Sequence, residues 1–276
     1  MKKGILALLT FTTAAVLITS CGGGGEGGPQ RKVYNYEKAD SLSVDYLKEL
    51  GSVKVNIEMA AKLFISLKER DYTFDASLMT PTSKSFATSK QQALGLGMFS
   101  ASLAYAAVYE QSQPTTDYIT SIMGLANKLG IQDAFNEELL KKITSNDTTV
   151  NKSILLTKAF INATDQLYSE DRAKLVCLMV SGGFIEGLKI STAATRERFA
   201  GGEIGLGIYE QVLSYENTMK MLKVFKEQDQ DVKNVYEAFK SQEAPIMEAI
   251  NSHGKLNQDH IVKLNAAITQ LESKLV

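Results

Sequence analysis

The chain has 276 residues, 22% of them charged, and a formal net charge of −1. A nearly neutral chain lacks the basic surface of a nucleic-acid-binding protein, so we expect no nucleic-acid partner. Its two cysteines are Cys21 and Cys177. Cys177 lies in the apolar run LVCLMV, and we interpret it as a core residue. A catalytic thiol is the less favoured alternative, because it needs a nearby base and partial exposure.

The first twenty residues have the pattern of a secretory signal peptide. Lys2 and Lys3 are followed by an uncharged apolar stretch from Ile5 to Ile18, which corresponds to a basic region followed by a hydrophobic region. A membrane-spanning helix needs about 20 apolar residues, and this stretch is shorter. We therefore predict that residues 1–20 are a signal peptide.

The segment Leu17–Cys21, LITSC, resembles a bacterial lipobox. This resemblance implies that Cys21 carries lipid, including palmitate, and becomes the new N-terminus; an ordinary signal peptide with an incidental cysteine is the alternative. The glycines that follow make residues 21–40 a flexible tether. We expect a lipid-anchored protein of the bacterial cell envelope, in the outer membrane because Gly22 and Gly23 carry no acidic retention signal. The sequence is consistent with a domain on the periplasmic side or on the cell surface.

Apolar residues recur at spacings of three and four along residues 41–276, which is the period of amphipathic helices. Strand-like alternation is confined to KVYNYEK, which is equally consistent with a linker. Breaks are expected around Pro81 and Pro114, at Gly130, and at Pro245. We predict a single all-α domain, a bundle or stacked hairpins of about nine or ten helices. The apolar stripes run through Val53–Leu67, Tyr118–Leu129, Leu156–Leu167, Ile204–Leu222 and Ile261–Leu275.

Two glycine-containing segments are apolar almost all round and should form buried helices. Because glycine disfavours a helix interior by roughly 1 kcal/mol relative to alanine, these glycines indicate close contacts with neighbouring helices. The segments match each other at an offset of 85, and VYEQ at 108–111 also matches IYEQ at 208–211. We interpret these matches as traces of a duplicated helical hairpin. The offset of 85 relates Gly97, Phe99 and Leu103 to Gly182, Phe184 and Leu188.

These two segments, Gly97–Tyr105 and Gly182–Glu186, resemble motifs of a family of all-helical lipoproteins from the Bacteroidota. That family has Gly-x-Tyr-x-Ala-Asp-Leu-x-Tyr and, later, Gly-Gly-Trp-x-Glu, in the same order along roughly residues 46–224. Two positions depart from the pattern, since Ser102 replaces a carboxylate and Phe184 replaces tryptophan. The resemblance implies a helical fold and an envelope location, and it carries no established activity.

Catalytic and metal-binding signatures are scarce. His253 and His260 are the two histidines, and with Asp259 they make at most a weak metal site. A solvated turn between two helices, at Gly254, is the preferred interpretation. No known nucleophile, metalloprotease or phosphate-loop motif is present. We assign no catalytic residues, no metal and no cofactor.

Four residues form the candidate ligand site: Tyr105, Tyr109, Glu186 and Tyr209. Glu186 lies in a glycine-rich apolar helix, where an unpaired carboxylate would be costly to bury. Tyr105 and Tyr109 share a helix face because they are four residues apart. The simpler interpretation is that the tyrosines fill the core and their hydroxyls meet nearby carboxylates or amides. The alternative is a pocket between the two hairpins.

We expect a non-enzymatic module that binds a protein, a glycan or a small molecule, or that acts as a scaffold. A hydrolase or lyase with Glu186 as acid or base is the alternative, and a helical-repeat adaptor is a third possibility. A cleft with a second carboxylate or a histidine within about 10 Å of Glu186 would favour chemistry, because paired carboxylates of glycosidases fall in that range.

Overall fold

The computed structural model describes residues 61–135, 137–145, 152–169 and 172–276, all within one compact unit, Ala39–Val276. These residues form ten α-helices and no strand, which confirms the predicted all-α fold. The predicted signal peptide, Cys21, the tether and the KVYNYEK segment lie outside the described residues. The helices are α1 (61–69), α2 (Ser89–Val108), α3 (Ser112–Leu129), α4 (Glu137–Thr144), α5 (Lys152–Ser169), α6 (Ala173–Thr195), α7 (Gly202–Phe225), α8 (Gln230–Ser241), α9 (Glu243–Asn251) and α10 (Gln258–Leu275).

Several helix boundaries fall where the sequence predicts breaks. Helix α3 ends at Leu129, and Gly130 follows with a φ of 68°, a left-handed conformation that glycine adopts without strain. Pro245 lies in the first turn of α9, where the missing N–H is tolerated, so it separates α8 from α9. Gly254, with a φ of 82°, lies in the turn before α10. The predicted break at each of these positions is confirmed.

Helix α6 is the centre of the bundle and packs against α2, α5, α7, α8 and α10. Among the described helices it alone is long and apolar enough to cross a membrane, but 83% of its most apolar window is buried inside the domain. A helix that is apolar all round is expected in the interior of a large helical domain. We therefore interpret α6 as a core helix.

Helices α2 and α6 cross with their backbones in direct contact. A Cβ atom added to Gly97 would lie 1.9 Å from the carbonyl oxygen of Met179, and one added to Gly182 would lie 1.9 Å from that of Leu94. Only glycine fits at these two positions. The predicted close contact is thus confirmed at Gly97 and Gly182, and it explains why each helix tolerates a residue that disfavours helices. It is not found at Gly183 or Gly187, where an added Cβ would lie no closer than 3.7 Å to a neighbouring atom.

This crossing is nearly two-fold symmetric in sequence. Gly97 faces Met179, and Gly182 faces Leu94. The two glycines are 85 residues apart, and so are the two residues that they face, so the two contacts are equivalent under this offset. The tetrapeptides VYEQ and IYEQ do not occupy equivalent positions, since 108–111 closes α2 and leads into α3 while 208–211 lies inside α7. Only the glycine crossing therefore supports a duplication, which stays a prediction.

Candidate functional site

Glu186 on α6 is fully buried, and its carboxylate is surrounded by donors. The backbone N–H of Thr80 and the hydroxyl of Ser102 donate to Oε1, at 2.6 and 2.5 Å. The Thr80 hydroxyl donates to Oε2 at 2.7 Å, and the Lys189 ammonium lies 2.7 Å from the same oxygen. A buried carboxylate is stable only when it is paired and hydrogen-bonded in this way.

A second carboxylate, Glu272 on α10, lies close to the first. Its Oε1 is 3.2 Å from Lys189 Nζ and 3.3 Å from Thr80 Oγ1, so both carboxylates share these two groups. The two acids are thus well within the roughly 10 Å typical of catalytic pairs. Lys189 lies between them as a counter-ion, however, and Glu186 is fully buried, whereas a general acid or base must reach a substrate proton. The arrangement is that of an ion-paired structural network.

The Glu186 network fastens the connecting loop, which we define as residues 70–88 between α1 and α2. Thr80 in this loop is buried and gives both its N–H and its hydroxyl to Glu186. Its carbonyl oxygen accepts a hydrogen bond from the Tyr118 hydroxyl at 2.6 Å. All three polar groups of Thr80 are thereby satisfied inside the bundle, as buried polar groups require.

Tyr105 and Tyr109 hold an earlier part of the same loop. Their ring centroids are 4.9 Å apart, and Tyr105 also stacks on Phe74 of the loop at 5.3 Å. The Tyr105 hydroxyl accepts from the N–H of Asp75, and the Tyr109 hydroxyl donates to the carbonyl of Tyr72 at 2.8 Å. Tyr105 fills the core as expected. Both hydroxyls, however, bond to the backbone of the loop and not to the carboxylate or amide side chains that the sequence suggested.

The structure brings Tyr105 and Tyr109 together, but the other two predicted residues, Glu186 and Tyr209, lie in different surroundings. Glu186 is engaged with Thr80, Ser102 and Lys189 as described above. Tyr209 is half-buried on α7, beside Gly254 in the turn between α9 and α10. Ligand binding by these four residues stays a prediction.

An apolar pocket of about 120 Å³ lies among helices α1 to α7, and none of the four predicted residues lines it. Its walls on α2 and α6 consist largely of small residues, including Ala101, Ala104, Gly183 and Gly187. Larger side chains such as Phe64 and Phe160 close the other sides. None of the described residues that line it carries a charge. Small residues on two crossing helices leave space where larger ones would fill the core.

Three hydroxyl groups in the lining of this pocket are satisfied within their own helices. The hydroxyls of Ser100, Ser214 and Thr218 donate to carbonyls three or four residues earlier, at 2.7, 2.6 and 2.9 Å. Gln211 on α7 is different, because its Nε2 is buried and no acceptor for it exists among the described residues. Sequence reasoning missed Gln211, although its position, three residues after the core residue Ile208, places it on the apolar face of α7.

The two histidines and Cys177 are the remaining candidates for chemistry. His260 Nδ1 accepts the N–H of Asn257 in the capping box that begins α10, and His253 lies in the preceding turn. In the part of the chain that the structure describes, no three His, Cys, Asp or Glu side chains are grouped to hold a metal. Cys177 is fully buried, and burial raises the pKa of its thiol, as expected for a core residue.

Comparisons of the chain with known protein-family models, with curated protein sequences and with solved structures found no match. The resemblance to the Bacteroidota lipoproteins therefore rests on its two motifs alone. In the structure these motifs belong to α2 and α6, and they meet where Ser102 donates to Glu186.

Proposed function

We propose that the protein is a lipid-anchored protein of the bacterial cell envelope whose helical domain binds a small, mainly apolar molecule without chemically changing it. The apolar pocket among α1 to α7 carries this proposal. Ligand sites are typically concave, mostly apolar and supplied with a few polar groups. A glycan would need many hydrogen-bonding partners, and this lining offers few, so a small molecule is the favoured ligand.

The size of the pocket limits the size of the molecule. An engineered protein cavity of about 150 Å³ binds benzene, and the volume here is about 120 Å³. A single small ring or a short acyl chain is therefore the appropriate scale. A longer molecule would have to extend out of the pocket.

The state of Glu186 disfavours the alternative, a hydrolase or lyase. Its oxygens are already occupied by Thr80, Ser102 and Lys189, and it does not line the pocket. Ser102 stands where the resembling family has a carboxylate, so this position offers Glu186 a hydroxyl in place of a second acid. The pocket lining itself offers no acid or base among the described residues.

Benzene binding tests the pocket. We expect benzene to raise the melting temperature of the protein in a concentration-dependent way, because a ligand that binds only the folded state stabilises it. Ala101→Leu, which fills the pocket from α2, should abolish the shift. Ala107→Leu is the matched control, since Ala107 is also half-buried on α2 but does not line the pocket. An absent shift, or equal shifts in all three proteins, would refute the proposal.

Lipid anchoring at Cys21 is tested separately from ligand binding. We expect the wild-type protein to fractionate with membranes and its N-terminal peptide to carry acyl chains on Cys21, since several acyl chains anchor a protein stably. The Cys21→Ser variant should appear in the soluble fraction. A wild-type protein that is soluble and unacylated would contradict lipid anchoring without affecting the pocket.

A further inference from the structure

We propose that the pocket selects a neutral molecule with a carbonyl oxygen, such as a ketone, an ester or an amide, and that this oxygen accepts a hydrogen bond from Gln211 Nε2. This inference rests on the proposed function, because it names the chemical class that the same pocket would take.

The first observation is the unpaired donor. Gln211 is only 6% exposed, it lines the pocket, and its Nε2 is the buried side-chain nitrogen that lacks an acceptor among the described residues. Buried polar groups in folded proteins are almost always hydrogen-bonded, so an unpaired one calls for an explanation. A ligand that brings an acceptor into the pocket supplies the missing partner.

Ser191 does not satisfy this amide. Its single hydroxyl proton has a short bond of 2.5 Å to the carbonyl of Gly187, while its oxygen is 3.4 Å from Gln211 Oε1, at the limit of a hydrogen bond. The serine therefore gives Oε1 no more than the weak second arm of a proton that is already bound to Gly187. The Nε2 side, with its two N–H groups, is left for the ligand.

Gly187 leaves room beside the amide. A Cβ atom added there would lie 3.7 Å from Gln211 Oε1 and 3.9 Å from Nε2, with no closer neighbour outside its own helix. This differs from Gly182 on the same helix, where an added Cβ would strike the backbone of α2. Close helix packing thus does not require glycine at 187. The absent side chain leaves a space of about one methyl group in the pocket wall, next to the amide of Gln211.

The uncharged lining determines that the ligand is neutral. No described lining residue is charged, and the nearby cation on α6, Lys189, is paired with Glu186 and Glu272. A carboxylate in the pocket would be an unpaired buried charge, which is strongly unfavourable. A carbonyl needs only the neutral hydrogen bond that the amide of Gln211 offers.

The test uses the full chain carrying Cys21→Ser, with cyclohexanone and the hydrocarbon of similar shape, methylenecyclohexane, as probes. Dissociation constants are measured for this protein and for its Gln211→Leu form. We expect Gln211→Leu to weaken cyclohexanone binding about fivefold, the effect of one neutral hydrogen bond. Methylenecyclohexane should bind the Gln211→Leu form as tightly or more tightly. Gln242→Leu is the matched control, because Gln242 is also buried but does not line the pocket.

Gly187→Ala provides a second variant that leaves Gln211 in place. The added methyl group occupies the space beside the amide, so it should weaken cyclohexanone more than methylenecyclohexane. If both probes bind but Gln211→Leu weakens them equally or not at all, the carbonyl proposal is overturned and the apolar pocket stands. If neither probe binds, the proposed function fails as well. Cyclopentanecarboxylate binding as tightly as the ketone would overturn the requirement for a neutral ligand.

Discussion

Four glycines on α2 and α6 have two different roles. Gly97 and Gly182 allow the two helix backbones to touch, and Gly97 also borders the pocket. Gly183 and Gly187 border the pocket too, but they have space around them. An added Cβ at Gly183 would meet only the carbonyl oxygen of Gly97, at an ordinary 3.7 Å. A glycine thus marks a steric requirement at the first pair and an unfilled space at the second.

Substitution of the crossing glycines should be strongly destabilising. Gly97→Ala or Gly182→Ala forces the helices apart, and we expect a loss of about 3 kcal/mol in the free energy of unfolding, at the upper end for overpacked cores. Gly183→Ala is the control, and it should be neutral or stabilise by up to about 1 kcal/mol through helix propensity. Urea denaturation of the three variants checks this. Equal stabilities would show that the helices do not cross as described.

The ion pair between Glu186 and Lys189 is buried, so its loss should lower stability. Glu186→Gln leaves Lys189 with the less buried Glu272 as its remaining acid and weakens the hold on Thr80. We expect the free energy of unfolding to fall by about 3 kcal/mol, as when one partner of a buried pair is removed. Glu248→Gln, which breaks the half-exposed pair with Lys263, should cost less than about 1 kcal/mol. Similar effects for the two variants in chemical denaturation would argue against a structural role for Glu186.

At the scale of elements, the connecting loop is the part whose position depends most on side chains. It contains one short 3₁₀ turn, Ala76–Leu78, and is held to the bundle by Glu186 and by tyrosine hydroxyls from α2 and α3. Such a segment has little backbone hydrogen bonding of its own. Removal of a single tyrosine hydroxyl should therefore lower the stability of the loop.

Tyr118→Phe removes the hydrogen bond to the Thr80 carbonyl and should lower the free energy of unfolding by about 1 kcal/mol. The effect should also be local. Amide hydrogen exchange should become faster in residues 76–82 and should change less in α6 and α7. Tyr209→Phe, on the half-buried tyrosine beside Gly254, serves as the control and should leave exchange in the loop unchanged. Uniformly faster exchange over the whole domain after Tyr118→Phe would mean that the loop is not a separately fastened unit.

The helices were predictable because their apolar stripes repeat locally. The stripe from Tyr118 to Leu129 became α3, and those from Ile204 and Ile261 became α7 and α10. The glycines likewise indicated a close crossing before its partner helix was known. Long-range partners left no such signal, since Thr80 and Glu186 are separated by 106 residues. The pocket was also unpredictable, because its volume depends on how seven helices fit together.

At the scale of the whole molecule, buried tyrosines connect stability to alkaline pH. Burial raises the pKa of Tyr118 to about 12, and it also raises the pKa values of Tyr105, Tyr109 and Tyr215. An unfolded tyrosine loses its proton near pH 10, so above that pH the unfolded chain holds fewer protons than the folded one. The stabilising effect of these groups is therefore complete below about pH 10 and is lost as the pH rises toward about 12.

We accordingly expect the free energy of unfolding to fall steeply between about pH 10 and 12. In Tyr118→Phe the fall should be shallower, because one of the shifted groups is missing. Urea denaturation across this range measures both slopes, and phenolate absorbance follows titration of the eleven tyrosines. If all of them titrated together near pH 10 in a protein that remained folded, the described burial of these rings would be wrong.

We infer that the helical domain holds a pocket for a small neutral carbonyl compound. The most direct measurement is a crystal structure of the protein grown with cyclohexanone. We expect the ring among α2, α5, α6 and α7, with its oxygen about 3 Å from Gln211 Nε2. A pocket filled by the protein's own side chains, or a ring bound only elsewhere, would contradict it.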